Sequence, residues 1–170
     1  MKIITITNQK GGTGKTTLTA LLSYGLSRLR KSVLMIDLDP QSHLSSFFLK
    51  PEELNRIRGS IHFARGQKYE IVSVERNIDL IPSNLNYIIS VYRGELPLTD
   101  PFAIDIKLRK DKYFLKYDYI VIDTPPELYT PTVWGLFSAD YIITPINYDE
   151  LSVLGCKLFI EYILSLIHIS

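Results

Sequence analysis

Eight consecutive residues, Lys10-Gly11-Gly12-Thr13-Gly14-Lys15-Thr16-Thr17, have the composition of a phosphate cradle. Glycines let successive backbone N–H groups converge on phosphate oxygens, a lysine such as Lys15 adds a positive point charge, and a hydroxyl such as that of Thr16 can ligate Mg²⁺. Three carboxylates stand where they could complete such a centre. Asp37 and Asp39 follow the apolar run Val33-Leu34-Met35-Ile36, and Asp123 follows Tyr119-Ile120-Val121-Ile122. An ionised group at the end of a buried strand costs desolvation unless it is paired or holds a cation, so all three read as functional rather than as packing.

The elements that must position these groups follow from hydrophobic spacing. Lys2 to Thr7 is β-branched and leads straight into the glycine loop, which predicts a strand, a loop and then a helix from Lys15 to about Arg30. Leu18, Leu21, Leu22, Leu26 and Leu29 recur at helical spacing, and Arg28, Arg30 and Lys31 put positive charge at the helix end. The unalternating runs ending in Asp37 and Asp123, and a third at Asp140-Tyr141-Ile142-Ile143-Thr144-Pro145, predict parallel strands buried on both faces. Helices are expected around Leu44–Leu49 and Glu52–Arg58, from Thr99 to Lys116 and from Thr130 to Ser138. Further strands are expected at Ile71–Val74 and Ile78–Ile81. Strands alternating with helices predict an α/β, doubly wound, mostly parallel sheet with its site along the carboxyl edge.

Residues 151–170 form an apolar helical pattern that Lys157 and Glu161 interrupt; only about eight residues follow Glu161, short of the roughly twenty a membrane span needs, and the segment is read as a core helix carrying Cys156. The pattern runs to Ser170 without a cap, as expected of a C-terminally incomplete domain. The length of 170 residues predicts a single domain over 1–170, and 46% hydrophobic with 22% charged residues excludes disordered and fibrous classes. Nineteen Lys plus Arg against eighteen Asp plus Glu leave +1, so no global basic field holds nucleic acid. One cysteine excludes an intrachain disulfide and fits a reducing cytoplasm, and His43, His62 and His168 share no metal-ligand spacing.

An ordinary phosphate loop, G-x-x-x-x-G-K-[ST], would have glycine at position 9; this chain has Gln9 and carries Lys10 before the glycine pair. That departure resembles the deviant Walker A of the ParA/MinD family of dimerising ATPases. The resemblance continues through Asp37-Leu38-Asp39-Pro40-Gln41, Ile78-Asp79-Leu80-Ile81-Pro82-Ser83-Asn84 and Tyr117 to Pro126, then Pro145 and Leu151-Ser152-Val153-Leu154-Gly155. It covers most of 1–155, loosely over 42–76 and 85–112. Asp39-Pro40-Gln41 and Ile81-Pro82-Ser83 make the chain more similar to the Soj-like ParA branch than to MinD.

The resemblance implies a P-loop ATPase that binds ATP and Mg²⁺, forms a homodimer with ATP and hydrolyses it to ADP and phosphate in plasmid or chromosome partitioning. Nucleotide binding would fall to Lys10, Gly11, Gly12, Thr13, Gly14, Lys15, Thr16 and Thr17. Catalysis would fall to Lys10, reaching across the dimer, with Lys15 and with Asp39 acting on the attacking water. Thr16, Asp37 and Asp123 would serve the metal, Asp123 through water and Asp37 through the metal shell or Lys10. Asp39, Pro40 and Gln41 would form one switch, and Thr124, Pro125 and Pro126 the other. Implied partners are a ParB-like centromere-binding protein and non-specific DNA held by the full-length dimer. No membrane partner is expected, and the location is cytoplasmic, or on the nucleoid if DNA binding is retained. A MinD-like positioning ATPase with an amphipathic C-terminal helix, and a nucleotide-binding remnant without turnover, are the alternatives. Scattered tyrosines and the absence of paired cysteines argue against the related tyrosine kinases and the nitrogenase iron protein.

Overall fold

The computed structural model describes residues 1–84 and 100–168. Along the chain run β1 (Lys2–Ile6), α1 (Lys15–Arg28), β2 (Val33–Asp37), α2 (Pro51–Leu54), α3 (Ser60–Ala64), β3 (Val72–Glu75) and β4 (Ile78–Ile81). After them come α4 (Ala103–Lys110), β5 (Tyr119–Asp123), α5 (Thr130–Ser138), β6 (Tyr141–Ile143) and α6 (Glu150–His168). The strands form one sheet in the order β3-β4-β2-β5-β1-β6, parallel everywhere except where β3 runs against β4.

Side chains alternate across each strand, and this sorts the core into two layers. Ile3, Leu34, Ile36, Ile120 and Ile122 pack with Phe63 of α3, Ile104 and Leu108 of α4 and Trp134 of α5. On the other face, Ile6, Val33 and Val121 meet Leu18, Leu22 and Leu26 of α1. Helices on both faces bury the central strands completely, which is why their sequences read as continuous apolar runs. The expected doubly wound, mostly parallel α/β sheet is present.

Several local expectations change. Leu21 and Leu29 are 63% and 71% exposed, because only the narrow row 18, 22, 26 faces the sheet. The helix expected from Thr99 to Lys116 is, among the described residues, α4 followed by a separate 3₁₀ turn at Lys112–Lys116. Asp111 leaves the helical conformation between them and accepts a hydrogen bond from the Tyr113 N–H at 2.9 Å. Thr99 lies outside the described residues. Leu44–Leu49 gives one 3₁₀ turn at Ser45–Phe47, and the Glu52–Arg58 expectation shrinks to α2.

β6 is an edge strand with Tyr141 and Ile142 exposed, not a strand buried on both faces. The core-helix reading of 151–170 fails as well. Val153, Leu154, Leu158, Ile160 and Leu164 of α6 are exposed, and Cys156 is only half-buried. Within that helix Ser152 and Phe159 are the buried side chains among those described. No helix among the described residues is long and apolar enough to cross a membrane.

Candidate functional site

β1 ends at Ile6 and the chain turns into α1 through a loop in which Gly12 (φ 71°) and Gly14 (φ 85°) are left-handed. Glycine adopts that region without the penalty a Cβ carries. Gly14 is the N-cap residue of α1 and has no side chain to satisfy the first-turn N–H groups, which are thus left for a ligand. Asn8 fixes the loop from below. Its Oδ1 accepts from the Lys10 N–H at 2.9 Å, and its Nδ2 donates to the Pro145 carbonyl at 2.6 Å. Lys15 Nζ donates to the Lys10 carbonyl at 3.3 Å. Burial pulls the Lys15 ammonium below its ordinary pKa, while Asp123, Asp39 and Glu127 act in the opposite direction.

Asp37 and Asp123 are register partners on adjacent parallel strands, so both project from the same face, the one that α1 covers. Two buried carboxylates at one strand spacing cannot both ionise cheaply. Burial pushes Asp37 up to about 7, with hydrogen bonds from Ser45 opposing and the Asp39 charge adding. Burial likewise pushes Asp123 well above the usual carboxylate range. Asp37 adds to that, and the nearby Thr16 and Thr19 hydroxyls pull the other way. Asp123 Oδ1 accepts from Thr19 Oγ1 at 3.3 Å, while its Oδ2 is buried with no hydrogen-bond partner. An orphaned carboxylate oxygen near a threonine hydroxyl is a donor set that suits a hard divalent cation.

Among the described residues, no group of three or more His, Cys, Asp or Glu side chains could hold a metal by itself. A cation here would draw most of its shell from water and phosphate, as Mg²⁺ does. Asp37, expected in the metal group, accepts from Ser45 N at 2.9 Å, Ser45 Oγ at 2.6 Å and Asp39 N at 3.0 Å. Three of its roughly four lone-pair positions are filled. About one lone-pair position is left for a cation or a water.

Asp39 is 5% exposed; its Oδ1 accepts from the Gln41 N–H at 2.9 Å, and its Oδ2 lies 3.3 Å from His43 Nδ1. Thr124 Oγ1 donates to the Ile6 carbonyl at 3.0 Å, tying the start of Thr124-Pro125-Pro126 to the end of β1. A cavity of about 540 Å³ opens above these groups. Gly11 through Thr17 form one wall, and Asp39, Pro40, Gln41 and Pro126 stand opposite. Lys10 stands outside this lining. Its Nζ donates to Asp149 Oδ2 at 3.0 Å and to Ser152 Oγ at 2.8 Å.

Sequence reasoning missed Asn8, His43, Phe47, Tyr129, Asp149 and Ser152. Asp149 carried a legible signal as an N-cap three residues before Ser152, but its contact with Lys10 spans 139 positions and has no local signature. His43, which shares no metal-ligand spacing with the other histidines, touches Asp39 and lines the cavity with Phe47 and Tyr129.

A glycine loop joining a parallel strand to a helix, with carboxylates at the ends of two further strands that pair with each other, β2 and β5, defines a P-loop nucleotide-binding domain. Residues 1–169 match the AAA_31 model, described as an AAA domain, and the chain belongs to that ParA/MinD-type family. It is similar to the sporulation initiation inhibitor protein Soj of Bacillus subtilis, 31% identical over 159 residues, covering 91% of this chain and 61% of Soj. The chain spans between half and two thirds of the length of the curated relatives it matches most strongly.

A plasmid partition protein of Borrelia burgdorferi bound to AMPPNP overlays with a TM-score of 0.83 at 31% identity. The overlay covers 97% of this chain and 70% of that one. Cobyrinic acid a,c-diamide synthase of Mycobacterium smegmatis with ADP and magnesium overlays at 0.85 and 26% identity, covering 99% and 69%. The backbone therefore does not separate the two activities.

Proposed function

We propose that this chain is the nucleotide switch of a ParA-type partition ATPase. It binds Mg²⁺-ATP at Lys10–Thr17, dimerises in that state and returns to the monomer on hydrolysis. The observation that carries the reading is a cavity lined by Gly11 to Thr17 and by Asp39, with Asp123 buried against α1 through Thr19, together with likeness to Soj and to the Borrelia partition protein. Identity of 31% to Soj and to the partition protein, against 26% to the synthase, favours the partition reading over the synthase reading that an equally good backbone overlay would allow.

In this reading the α1 N-terminus and Lys15 hold the β- and γ-phosphates. Thr16 and Asp123 are the residues that would hold Mg²⁺, which when bound would supply positive charge against the phosphates. Asp39 orients a water for attack on the γ-phosphorus, with the bond to the β,γ-bridging oxygen breaking and ADP leaving. Lys10 contacts the nucleotide of the opposing subunit. Asp39-Pro40-Gln41 and Thr124-Pro125-Pro126 report the nucleotide state, since both segments leave strands that end at the cavity.

A ParB-like centromere-bound partner and non-specific DNA held by the full-length dimer complete the proposal, with action in the cytoplasm on the nucleoid. Titration with labelled ATP and Mg²⁺ tests the base of the reading. Lys15→Ala should lose measurable binding, and near-native affinity in that variant would contradict the phosphate-loop assignment.

A further inference from the structure

Lys10 is the residue that sets this loop apart, yet its ammonium is engaged within its own chain. It donates to Asp149 Oδ2 at 3.0 Å and to Ser152 Oγ at 2.8 Å, at the first turn of α6. The receiving pair is itself locked. Asp149 Oδ1 accepts from the Ser152 N–H at 2.8 Å as the helix N-cap, and the Ser152 hydroxyl donates to Asp149 Oδ2 at 2.6 Å while accepting from Lys10. Ser152 is 4% exposed, so the acceptor is held by packing as well as by hydrogen bonds. The Ser152 hydroxyl and then Lys10 pull the Asp149 carboxyl down to about 2, which keeps it ionised at any physiological pH.

We propose that Asp149 and Ser152 are positioning residues that latch Lys10 in cis within the single chain, so that the lysine must leave α6 before it can serve a second subunit. The proposal rests on the dimer reading above and adds its regulation. One ammonium with three donors cannot keep both bonds to α6 and also extend across an interface toward a second nucleotide. The two states exclude each other, and the latch raises the threshold for dimerisation. Lys15 is coupled to the same point through its bond to the Lys10 carbonyl. A phosphate that draws Lys15 away from that carbonyl loosens the backbone at Lys10, giving nucleotide binding a route to release the latch.

Asp149→Asn is the informative variant because asparagine is as good an N-cap as aspartate, so α6 stays capped while the charge on Lys10 is removed. A partly exposed ion pair is worth a factor of about three, and two latches open per dimer, so the ATP-dependent dimer dissociation constant should tighten about tenfold. ATP affinity measured below the dimerisation concentration should stay unchanged. Ser152→Ala, which removes the second acceptor, should act in the same direction.

Sedimentation of the unaltered protein, Asp149→Asn, Lys10→Ala and the double variant with Mg²⁺ and a non-hydrolysable ATP analogue reads this out. The gain from Asp149→Asn must vanish in the Lys10→Ala background, a coupling that a role confined to helix capping would not produce. Equal or weaker dimerisation of Asp149→Asn, beside an unaltered protein that dimerises, would overturn the latch alone. An unaltered protein that stays monomeric at every concentration tested would overturn the dimer reading and the latch with it.

Discussion

At the residue scale the site is organised around carboxylates that are costly to bury. Asp37 and Asp123 face each other in register, and among the described residues no cation is bonded to either and Asp123 Oδ2 has no hydrogen-bond partner. The raised Asp37 fixes the sign of a pH effect. Between its unfolded value near 4 and its folded value of about 7 the folded chain holds the extra proton, so stability contributed by this group is full below pH 4. It is lost as pH rises through about 7. The nucleotide-free protein should therefore melt at a lower temperature at pH 7.5 than at pH 5.5 in thermal unfolding followed by circular dichroism. Mg²⁺-nucleotide should shrink that difference by supplying the missing positive charge, and its removal by chelation should restore it. Asp39 differs in that, among the described residues, its Oδ2 meets the exposed His43 ring, and in the proposed reading it works on water. Asp39→Ala should keep ATP affinity within about twofold and cut single-turnover hydrolysis by about 100-fold or more, checked by rapid quench.

At the element scale the site depends on how β2 and β4 end. Asp37 accepts from Ser45, and the Ser45 hydroxyl accepts from the Ser83 N–H at 2.9 Å, so the turn after β2 is tied to the chain leaving β4. The same β4 end is held by α3. Ser60 N–H donates to the Pro82 carbonyl at 2.8 Å, and a Cβ on Gly59 would stand 1.9 Å from that carbonyl oxygen. Gly59→Ala should push α3 off the sheet and destabilise the fold by about 2–4 kcal/mol in urea unfolding, from overpacking plus a lost hydrogen bond.

Much of this architecture was legible in sequence. The central strands are buried on both faces, so their apolar runs Val33–Ile36 and Tyr119–Ile122 stood out, and the glycine loop has a chemistry of its own. What escaped depends on contacts between distant segments. α3 is five residues long and held by Pro82, and the exposure of Leu21 and Leu29 reflects how narrow a stripe of α1 the sheet accepts. β6 carries the same apolar run as β2 and β5. Sequence alone could not show that nothing described pairs with its outer side, nor that Lys10 reaches to α6.

At the scale of the whole molecule, every group placed at the nucleotide stands on the carboxyl edge of one sheet, at the ends of β1, β2 and β5, where a doubly wound fold opens a crevice. Lys10 lies outside the lining of that crevice, where its ammonium is bonded to Asp149 and Ser152 of the α6 N-terminus. In the proposed reading the active unit is a dimer in which each lysine acts on the other subunit's nucleotide. The most direct measurement is steady-state ATP hydrolysis by Lys10→Ala and Asp39→Ala, separately and mixed in equal amounts. Each alone should be nearly inactive. In the mixture, heterodimers contain one site with both an intact Asp39 and a partner's Lys10, so turnover should recover well above either variant alone. No recovery on mixing, with dimers of both variants present, would mean that Lys10 acts on its own subunit and would contradict the account.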